Sequence, residues 1–401
     1  MRTTWTFHTA GHLLFGPGAA AQLGVEARRL GAGKLLIVTD RHLVRAGILE
    51  TVLAPLAAAG VEVAVFEEGE PEPSLALVEK CLAMAKPFRP DVLLGLGGGS
   101  NMDLAKGVAI LLAHGGVIGD YVGDSRVPGP VLPLICVPTT AGTGSEVTAS
   151  AVLTDTANQI KVGILSNYIR PSLALVDPRL TLTCPAKVTA DSGIDALTHA
   201  IEAYTAIDNA SFPLPPGEVT CYQGRNPLAD LVSEQAISLV GKHLKTAVEQ
   251  PGNLPAREGM ALAATLGGLA FSNCGVALVH AMEYPVGGAV HCSHGAGNGL
   301  LLPYVLRFNL PACRPQLAKV GRLLDESQSG LDDQAAAEHA ITAIERLKQQ
   351  IGIPGRLRDL GVTAEMLPGF AEKAFGIKRI LRVNPRPVTR QEIEDIYRAA
   401  L

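Results

Sequence analysis

The sequence has little of what marks a nucleic-acid-binding or membrane protein. Aromatic residues make up 4% of the 401 residues, with one tryptophan, and the formal net charge is −4. So small a charge gives no electrostatic reason to expect nucleic acid or an anionic membrane as a partner. No run of eighteen uncharged apolar residues appears, so we expect no transmembrane helix.

Cysteine is scarce and scattered. The seven cysteines form no C-x-x-C pair and are odd in number, which argues against both a cysteine-based zinc site and a disulfide framework. The N-terminal residues have no apolar stretch of the signal-peptide type. We therefore expect reduced thiols and a cytoplasmic location.

Apolar residues and glycine are abundant, as in a globular α/β protein with many tight turns: 47% of the chain is apolar and 43 residues are glycine. A chain of this length predicts two domains. Apolar runs typical of buried strands lie at residues 34–39, 61–66, 91–96, 132–137 and 173–176. Helical patterns separate the first three, over 43–59 and 75–86, and a third starts near 101. This alternation predicts a Rossmann-like parallel sheet with helices on both faces.

The second half of the sequence has a different pattern of apolar residues. Long Ala/Leu-rich segments with helical period occupy residues 187–206, 227–250, 255–275, 334–350 and 390–400, and a Pro/Gly-rich stretch interrupts them at 208–226. The sequence therefore predicts an α/β domain over residues 1–185 and an all-α domain over residues 186–401.

Two loops of the first half are suited to a dinucleotide. Gly97-Gly98-Gly99-Ser100 joins a strand to a helix, and such a turn lets backbone N–H groups and a helix N-terminus approach a diphosphate. Its plain alternative is a turn that only closes a βα unit. The loop Pro138–Glu146 is dense in glycine and hydroxyl side chains. Asp40 ends the strand 34–39, where a carboxylate accepts a bond from a ribose 2′-hydroxyl and repels a 2′-phosphate, unless it is simply a solvated loop acid.

A set of metal-ligand side chains lies in the helical half. Asp195 and His199 are four residues apart, so they project from one face of a helix. Alone, such a pair is more often a surface ion pair, and a lone buried histidine is usually a core residue. His280 and His294 follow beside small and apolar residues, and together the four favour one mixed oxygen and nitrogen site. One carboxylate and three imidazoles suit iron(II), and zinc(II) as the alternative.

These residues belong to strings that resemble the iron-containing (group III) alcohol dehydrogenase family over nearly the whole chain. The strings are GGGSNMDLAK (97–106), PTTAGTGSEVT (138–148), SGIDALTHAIEAY (192–204) and the His280…His294 pair. The resemblance implies a dinucleotide-binding domain, a helical domain and a catalytic cleft between them, the architecture shared with dehydroquinate synthase.

The resemblance also implies roles for single residues. Asp195, His199, His280 and His294 would hold the metal at the catalytic centre. NAD would contact Gly97, Gly98, Gly99, Ser100, Asp103, Thr139, Thr140, Thr143, Ser145 and Lys161, with Asp40 favouring NAD over NADP.

The sequence departs from the family at Tyr284, where many members carry a histidine thought to act in catalysis or proton relay. A tyrosine can donate a hydrogen bond there but is not a near-neutral acid or base. Tyr284 and the segment Tyr222–Pro227 resemble the hydroxyacid–oxoacid transhydrogenase and 4-hydroxybutyrate dehydrogenase branch. That branch makes Arg225 the candidate for binding a substrate carboxylate, against the plainer expectation of a solvated or ion-paired arginine.

The predicted function is an NAD-dependent, metal-dependent oxidoreductase that moves a hydride between a primary or secondary alcohol, or its aldehyde or ketone, and the nicotinamide. We expect a small-molecule substrate and a homodimer or higher homo-oligomer. Three alternatives stay open: a transhydrogenase that retains its nicotinamide, non-redox chemistry of the dehydroquinate synthase kind, and a catalytically silent nucleotide-binding protein.

Overall fold

The computed structural model describes residues 2–158, 160–215, 217–325, 327 and 330–401. It consists of two compact units. An α/β unit contains His8–Cys184 and Val219–Cys221, and a helical unit contains residues 2–7, Pro185–Glu218 and Tyr222–Leu401. The sequence predicts two uninterrupted domains, whereas the structure exchanges the short segments 2–7 and Val219–Cys221 between the units.

The α/β unit is built on a six-stranded parallel sheet. Its strands are β1 (His12–Phe15), β2 (Lys34–Val38), β3 (Glu62–Phe66), β4 (Val92–Gly97), β6 (Leu134–Pro138) and β9 (Leu173–Val176). Their order across the sheet is β1-β9-β6-β4-β2-β3. The carboxyl ends of β6, β4 and β2 are therefore neighbours, and this edge is where a doubly wound sheet binds its ligand.

Helices cover both faces of this sheet. They are α1 (Leu23–Arg29), α2 (Arg41–Arg45), α3 (Ile48–Ala58), α4 (Leu75–Phe88) and α5 (Gly99–His114). Successive strand residues point to opposite faces, so Leu35 and Ile37 pack with α1 and α3 while Leu36 and Val38 pack with α4 and α5. Burial on both faces explains why these strands are continuous apolar runs.

Three features of this unit differ from the predicted pattern. The predicted helix 43–59 is wrong as a single element, because Gly47 has a φ of 74° and separates α2 from α3. The short edge strand β1 was not predicted. A second sheet, in the order β5-β8-β7, also has no counterpart in the predicted strands; it comprises β5 (Gly123–Asp124), β7 (Ser150–Asp155) and β8 (Ile160–Leu165).

The described residues of the helical unit form nine α-helices, from 4 to 31 residues long. They are α6 (Ala186–Thr205), α7 (Pro227–Glu249), α8 (Leu254–Cys274), α9 (Leu278–Val290), α10 (His294–Leu324), α11 (Asp333–Gln350), α12 (Leu367–Gly376), α13 (Lys378–Leu381) and α14 (Arg390–Ala400). Helices α9, α10, α12 and α13 are absent from the predicted pattern. Both α9 and α10 carry internal prolines, which are unfavourable in helices, and α10 bends at Cys313.

The irregular segment 208–226 contains a 3₁₀ turn at Asn209–Ser211 and no α-helix in its described residues; Pro216 lies outside them. Among the described residues, no single helix has both the length and the apolar composition needed to cross a membrane. The consecutive helices α8 and α9 meet these criteria only as a pair, and that pair is bent by 104°.

Candidate metal and cofactor site

Helix α6 supplies the first two predicted ligands. Asp195 and His199 lie one turn apart in the buried body of the helix, with 2% and 4% of their surface exposed. The His199 Nδ1 atom lies 3.8 Å from Asp195 Oδ2. Two polar side chains this deeply buried need partners, which excludes the surface ion pair as an account of them.

Two further helices bring the other histidines to Asp195. His280 lies in the first turn of α9, and His294 is the first residue of α10. One ligand atom each from Asp195, His280 and His294 lies within 4.8 Å of the other two. The backbone of α10 reaches α6 because residue 295 is glycine: a Cβ there would lie 1.9 Å from the Asp191 carbonyl oxygen.

Glu202 orients His280. The His280 Nδ1 atom lies 2.6 Å from a Glu202 carboxylate oxygen, and the same carboxylate accepts the backbone N–H groups of Ala277 and Val279 at 2.9 and 2.7 Å. A carboxylate can only accept, so it holds the imidazole proton on Nδ1. The Nε2 lone pair of His280 then faces Asp195, whose Oδ1 lies 3.8 Å away.

Glu283 orients His294 in the same way. Its fully buried carboxylate bonds His294 Nδ1, which leaves Nε2 for the cluster. Neither glutamate is among the predicted site residues, yet both have the same spacing from a histidine in the sequence. Each follows a histidine by three positions, in His199-Ala-Ile-Glu202 and His280-Ala-Met-Glu283. Each glutamate, however, bonds the next predicted ligand histidine along the chain and not the histidine three positions before it, so the pairing depends on the fold.

Asn298 lies among the three ligand atoms. Its amide nitrogen is 2.8 Å from Asp195 Oδ1, 3.1 Å from His280 Nε2 and 3.2 Å from His294 Nε2. An amide has two N–H groups and faces three acceptors here. Lone pairs of Asp195, His280 and His294 converge on one point, and carboxylates fix both imidazoles from behind. This is the donor arrangement that a divalent cation requires. The residues present therefore fit the metal. Asn298 lies one helical turn after His294. It is not among the site residues predicted from the sequence.

His199 lies beside this group of three. Its ring stacks between Phe271, at 4.2 Å between centroids, and His280, at 4.8 Å. Burial alone would raise the pKa of the Asp195 carboxyl, but the imidazoles of His199, His294 and His280 and the amide of Asn298 outweigh it and lower that pKa. Asp195 is thus held as the carboxylate, the form that binds a metal.

Tyr284 lies beside the metal cluster, whereas Arg225 lines a cavity and is accompanied by carboxylates. The Tyr284 ring is 6.0 Å from the His294 ring, at the wall of the cluster. Arg225 lines a cavity of about 250 Å³, and its guanidinium lies 3.8 Å from a carboxylate oxygen of Asp208 and 3.6 Å from one of Asp230. Thr205, at the end of α6, lines the same cavity and is about 9 Å along the helix from His199.

At the edge of the parallel sheet, Asp40 follows β2. Its Oδ1 accepts the backbone N–H groups of His42 and Leu43 at 2.8 and 3.1 Å, which caps α2. Its Oδ2 accepts the Asn101 side-chain N–H at 2.8 Å. A carboxylate offers about four acceptor positions. Three are used, so one is left for a ribose hydroxyl.

The glycine turn after β4 packs against the loop after β6. Gly97 has a φ of 142°, and a Cβ on Gly99 would lie 2.8 Å from the Thr143 methyl group. The Thr139 N–H bonds the Gly97 carbonyl at 3.0 Å. No side chain caps the N-terminus of α5 at Gly98, so its N–H groups face outward for an anion.

Other predicted cofactor residues border the same edge. Ser100 Oγ accepts the Glu72 N–H at 3.3 Å, and a Cβ on Gly98 would touch Thr140. The Lys161 ammonium is mostly buried and lies 2.7 Å from the Glu72 carboxylate. Asp103 and Ser145 bond each other at 2.7 Å.

A Rossmann-like sheet with an open helix N-terminus, and a helical unit with a carboxylate–imidazole cluster, are the parts of a metal-dependent dehydrogenase. Comparison with known proteins agrees. Residues 10–178 match the family described as "Iron-containing alcohol dehydrogenase", and residues 218–401 match "Fe-containing alcohol dehydrogenase family, C-terminal". The chain belongs to the iron-containing alcohol dehydrogenase family.

Similar proteins cover the whole chain. It is 39% identical over 388 residues to the NAD-dependent methanol dehydrogenase of Bacillus methanolicus, with 97% of each chain covered. It is 40% identical over 388 residues to the 1,3-propanediol dehydrogenase of Klebsiella pneumoniae, with 96% of each covered. A crystal structure of a 1,3-propanediol oxidoreductase superposes with a TM-score of 0.92 at 39% identity, covering 99% of this chain and 100% of that one.

These findings confirm the predicted fold class and enzyme class: the chain is an oxidoreductase of the iron-containing alcohol dehydrogenase type. They confirm NAD and one divalent metal as cofactors at the level of the family. The transhydrogenase alternative gains no support from them.

Proposed function

We propose that this protein interconverts small primary alcohols or diols and their aldehydes with NAD(H), at a divalent ion held by Asp195, His199, His280 and His294. The observation that carries the proposal is the buried convergence of Asp195, His280 and His294 within 4.8 Å, with both imidazoles fixed by glutamates. The substrate class follows from the methanol and 1,3-propanediol dehydrogenases that the chain resembles.

The residues of the proposed catalytic centre have separate roles. When bound, the divalent ion supplies Lewis-acid chemistry toward an alcohol or carbonyl oxygen, iron(II) being the metal of the family name. Asp195 and the imidazoles fix its position, and Glu202 and Glu283 fix the imidazoles. Tyr284, beside His294, borders the substrate and orients it through its hydroxyl. The hydride chemistry is that of the nicotinamide, for which the protein supplies position.

The dinucleotide lies at the carboxyl edge of the sheet. The N-terminus of α5 after Gly97–Ser100 binds the diphosphate, and the loop with Thr139, Thr140, Thr143 and Ser145 borders it. Asp40 accepts one ribose hydroxyl and repels a 2′-phosphate, which makes NAD the preferred cofactor. Lys161 contributes a cation at the same edge, shared with Glu72.

Arg225 holds the fold rather than an acid substrate. Two carboxylates already accompany its guanidinium, and its cavity lies at the C-terminal end of α6, about 9 Å along the helix from His199. The substrates are therefore neutral. We also propose a cytoplasmic homo-oligomer, consistent with seven cysteines that form no disulfide in the described chain.

The test is an assay of the iron-loaded and zinc-loaded protein on short alcohols, diols, aldehydes and ω-hydroxyacids, with NAD(H) and NADP(H). We expect NAD-linked turnover of neutral alcohols and aldehydes. A fully metal-loaded protein that turns over none of them refutes the proposal. Turnover of a hydroxyacid with an added oxoacid and no free NAD identifies a transhydrogenase instead.

A further inference from the structure

A buried lysine beneath the dinucleotide edge takes no part in the function described above. Lys106, on α5, has none of its side chain exposed. Burying an ammonium group is costly unless its hydrogen bonds are all satisfied. Its partners therefore show what holds it there.

All the hydrogen bonds of Lys106 go to the loop after β6 and to the start of β7. Its ammonium donates to Ser145 Oγ at 2.7 Å and to the Ser145 carbonyl at 2.8 Å. It also donates to Thr148 Oγ1 at 3.1 Å and to the Ser150 carbonyl at 2.7 Å. Four acceptors surround three N–H groups, so the charge is fully satisfied by this one segment.

Asp103, three residues before Lys106 on the same face of α5, completes the arrangement. Its Oδ1 accepts the Ser145 hydroxyl at 2.7 Å, and its Oδ2 accepts the Val152 N–H at 2.9 Å. The Lys106 ammonium is 3.5 Å from Oδ1. Ser145 is thus held by both charges at once, and both oxygens of Asp103 are engaged within the protein.

The segment that they hold has little regular structure of its own. Residues 139–149 contain one 3₁₀ turn, Ser145–Val147, which starts after Gly144 with a φ of 61°. The near end of the segment is fixed on the glycine turn through the Thr139–Gly97 bond. The far end is fixed by Lys106 and Asp103. Between these two points lie the threonines proposed to border the dinucleotide.

We propose that Lys106, together with Asp103, is a positioning residue that sets the shape of the loop 139–149 for dinucleotide binding. The proposal rests on the proposed function of this loop, and it gives Asp103 an indirect role in place of the cofactor contact that the resemblance implies. A loop already ordered before NADH arrives loses less conformational freedom on binding. Without the ammonium, the loop relaxes and NADH must order it.

The experiment compares Lys106→Met with Lys348→Met in the full-length, metal-loaded enzyme. Lys348 is a matched control, because it is also buried but donates to the Leu300 carbonyl in the helical unit. We expect Lys106→Met to raise the NADH dissociation constant about tenfold or more, measured by NADH fluorescence. The KM for NADH should rise with it, while kcat at saturating NADH changes little and Lys348→Met leaves both constants unchanged.

Amide hydrogen exchange supplies a second readout that needs no cofactor. Peptides covering residues 139–149 should exchange faster in Lys106→Met and at the unmodified rate in Lys348→Met. A folded Lys106→Met protein with unchanged NADH affinity overturns the proposal, and so does unchanged exchange in the loop. If that variant does not fold, Asp103→Asn takes its place, since an amide has one oxygen and cannot accept both the Ser145 hydroxyl and the Val152 N–H. Unchanged exchange in the loop of that variant likewise overturns the proposal.

The proposed function can fail separately. An unmodified, metal-loaded enzyme that binds no NADH refutes the dinucleotide site itself. In that case the exchange measurement still decides whether Lys106 orders the loop.

Discussion

The buried glutamate behind His280 gives a sharp test of the metal site. Glu202→Gln keeps the size and shape of the side chain. With its carbonyl oxygen in the place of Oε1 it still accepts the Val279 N–H, while Oε2, which Ala277 N–H and His280 Nδ1 share, is replaced by the amide nitrogen. The amide nitrogen, however, then faces His280 Nδ1 and donates to it. The imidazole must carry its own proton on Nε2, the atom that faces Asp195. A protonated Nε2 has no lone pair for a cation.

The expected loss can be worked from this geometry. Replacing the carboxylate that orients a ligand histidine typically weakens metal binding by about 10- to 100-fold. This corresponds to about 1.4–2.8 kcal/mol of binding free energy. Competition with a chromophoric chelator at fixed pH measures the dissociation constant for iron(II) or zinc(II), and thermal unfolding of the metal-free protein measures the fold separately.

Glu234→Gln is the matched control. Glu234 lies in the same unit and accepts the Tyr204 hydroxyl at 2.8 Å, with no bond to a ligand histidine. We expect Glu234→Gln to leave metal affinity unchanged and Glu202→Gln to reduce it, with only a small change in the melting temperature of the metal-free protein. Should Glu202→Gln bind metal as tightly as the unmodified protein, Glu202 only caps the start of α9 and the tautomer argument is wrong.

Three further outcomes follow from the site and its surroundings. His280→Ala should lose metal and turnover while circular dichroism stays native, because the sheet of the other unit is untouched; full metal content with a normal rate would contradict the ligand assignment. Asp40→Gly should reduce the preference for NAD over NADP by about 1–2 kcal/mol, measured as the ratio of kcat/KM values, and equal efficiency with both cofactors in the unmodified enzyme would refute the role of Asp40. Burial raises the pKa of Asp230 to about 6, against the opposing effect of Arg225. The folded protein thus favours the protonated acid, so stability is lost as the pH rises from about 4 through 6. Urea unfolding should show this loss in the unmodified protein and not in Asp230→Asn; parallel pH profiles would contradict it.

The sheet and its motifs could be predicted because their causes are local. Strands buried on both faces are continuous apolar runs, and the predicted strand 173–176 coincides with β9. The glycine turn is fixed by steric limits within a few residues, at Gly97 and Gly99. The small sheet escaped prediction since β5 has two residues and the six residues of β8 include Lys161 and Gly163.

The helices that carry half of the metal cluster escaped prediction for a different reason. Helix α9 contains Pro285 and two glycines, Gly287 and Gly288, and their intrinsic preferences oppose a helix. Tertiary packing overrides them: α9 is buried along most of its length and its first turn is capped by Glu202 from α6. No local sequence pattern around residue 280 indicates that Glu202, which is 78 positions away, is its partner.

The same separation between contact and support occurs in the metal cluster and at the dinucleotide edge. The sequence motifs contain charged residues, and each of them would be expected to contact the metal or the dinucleotide directly. In the structure several of them instead hold other residues: Glu202 and Glu283 hold imidazoles, while Lys106 and Asp103 hold Ser145. Each of these charges is hydrogen-bonded within the protein, so the groups that they fix are in place before metal or dinucleotide binds. Ligand binding then requires less ordering, and a small alcohol with few atoms for binding can still be held in a reactive position.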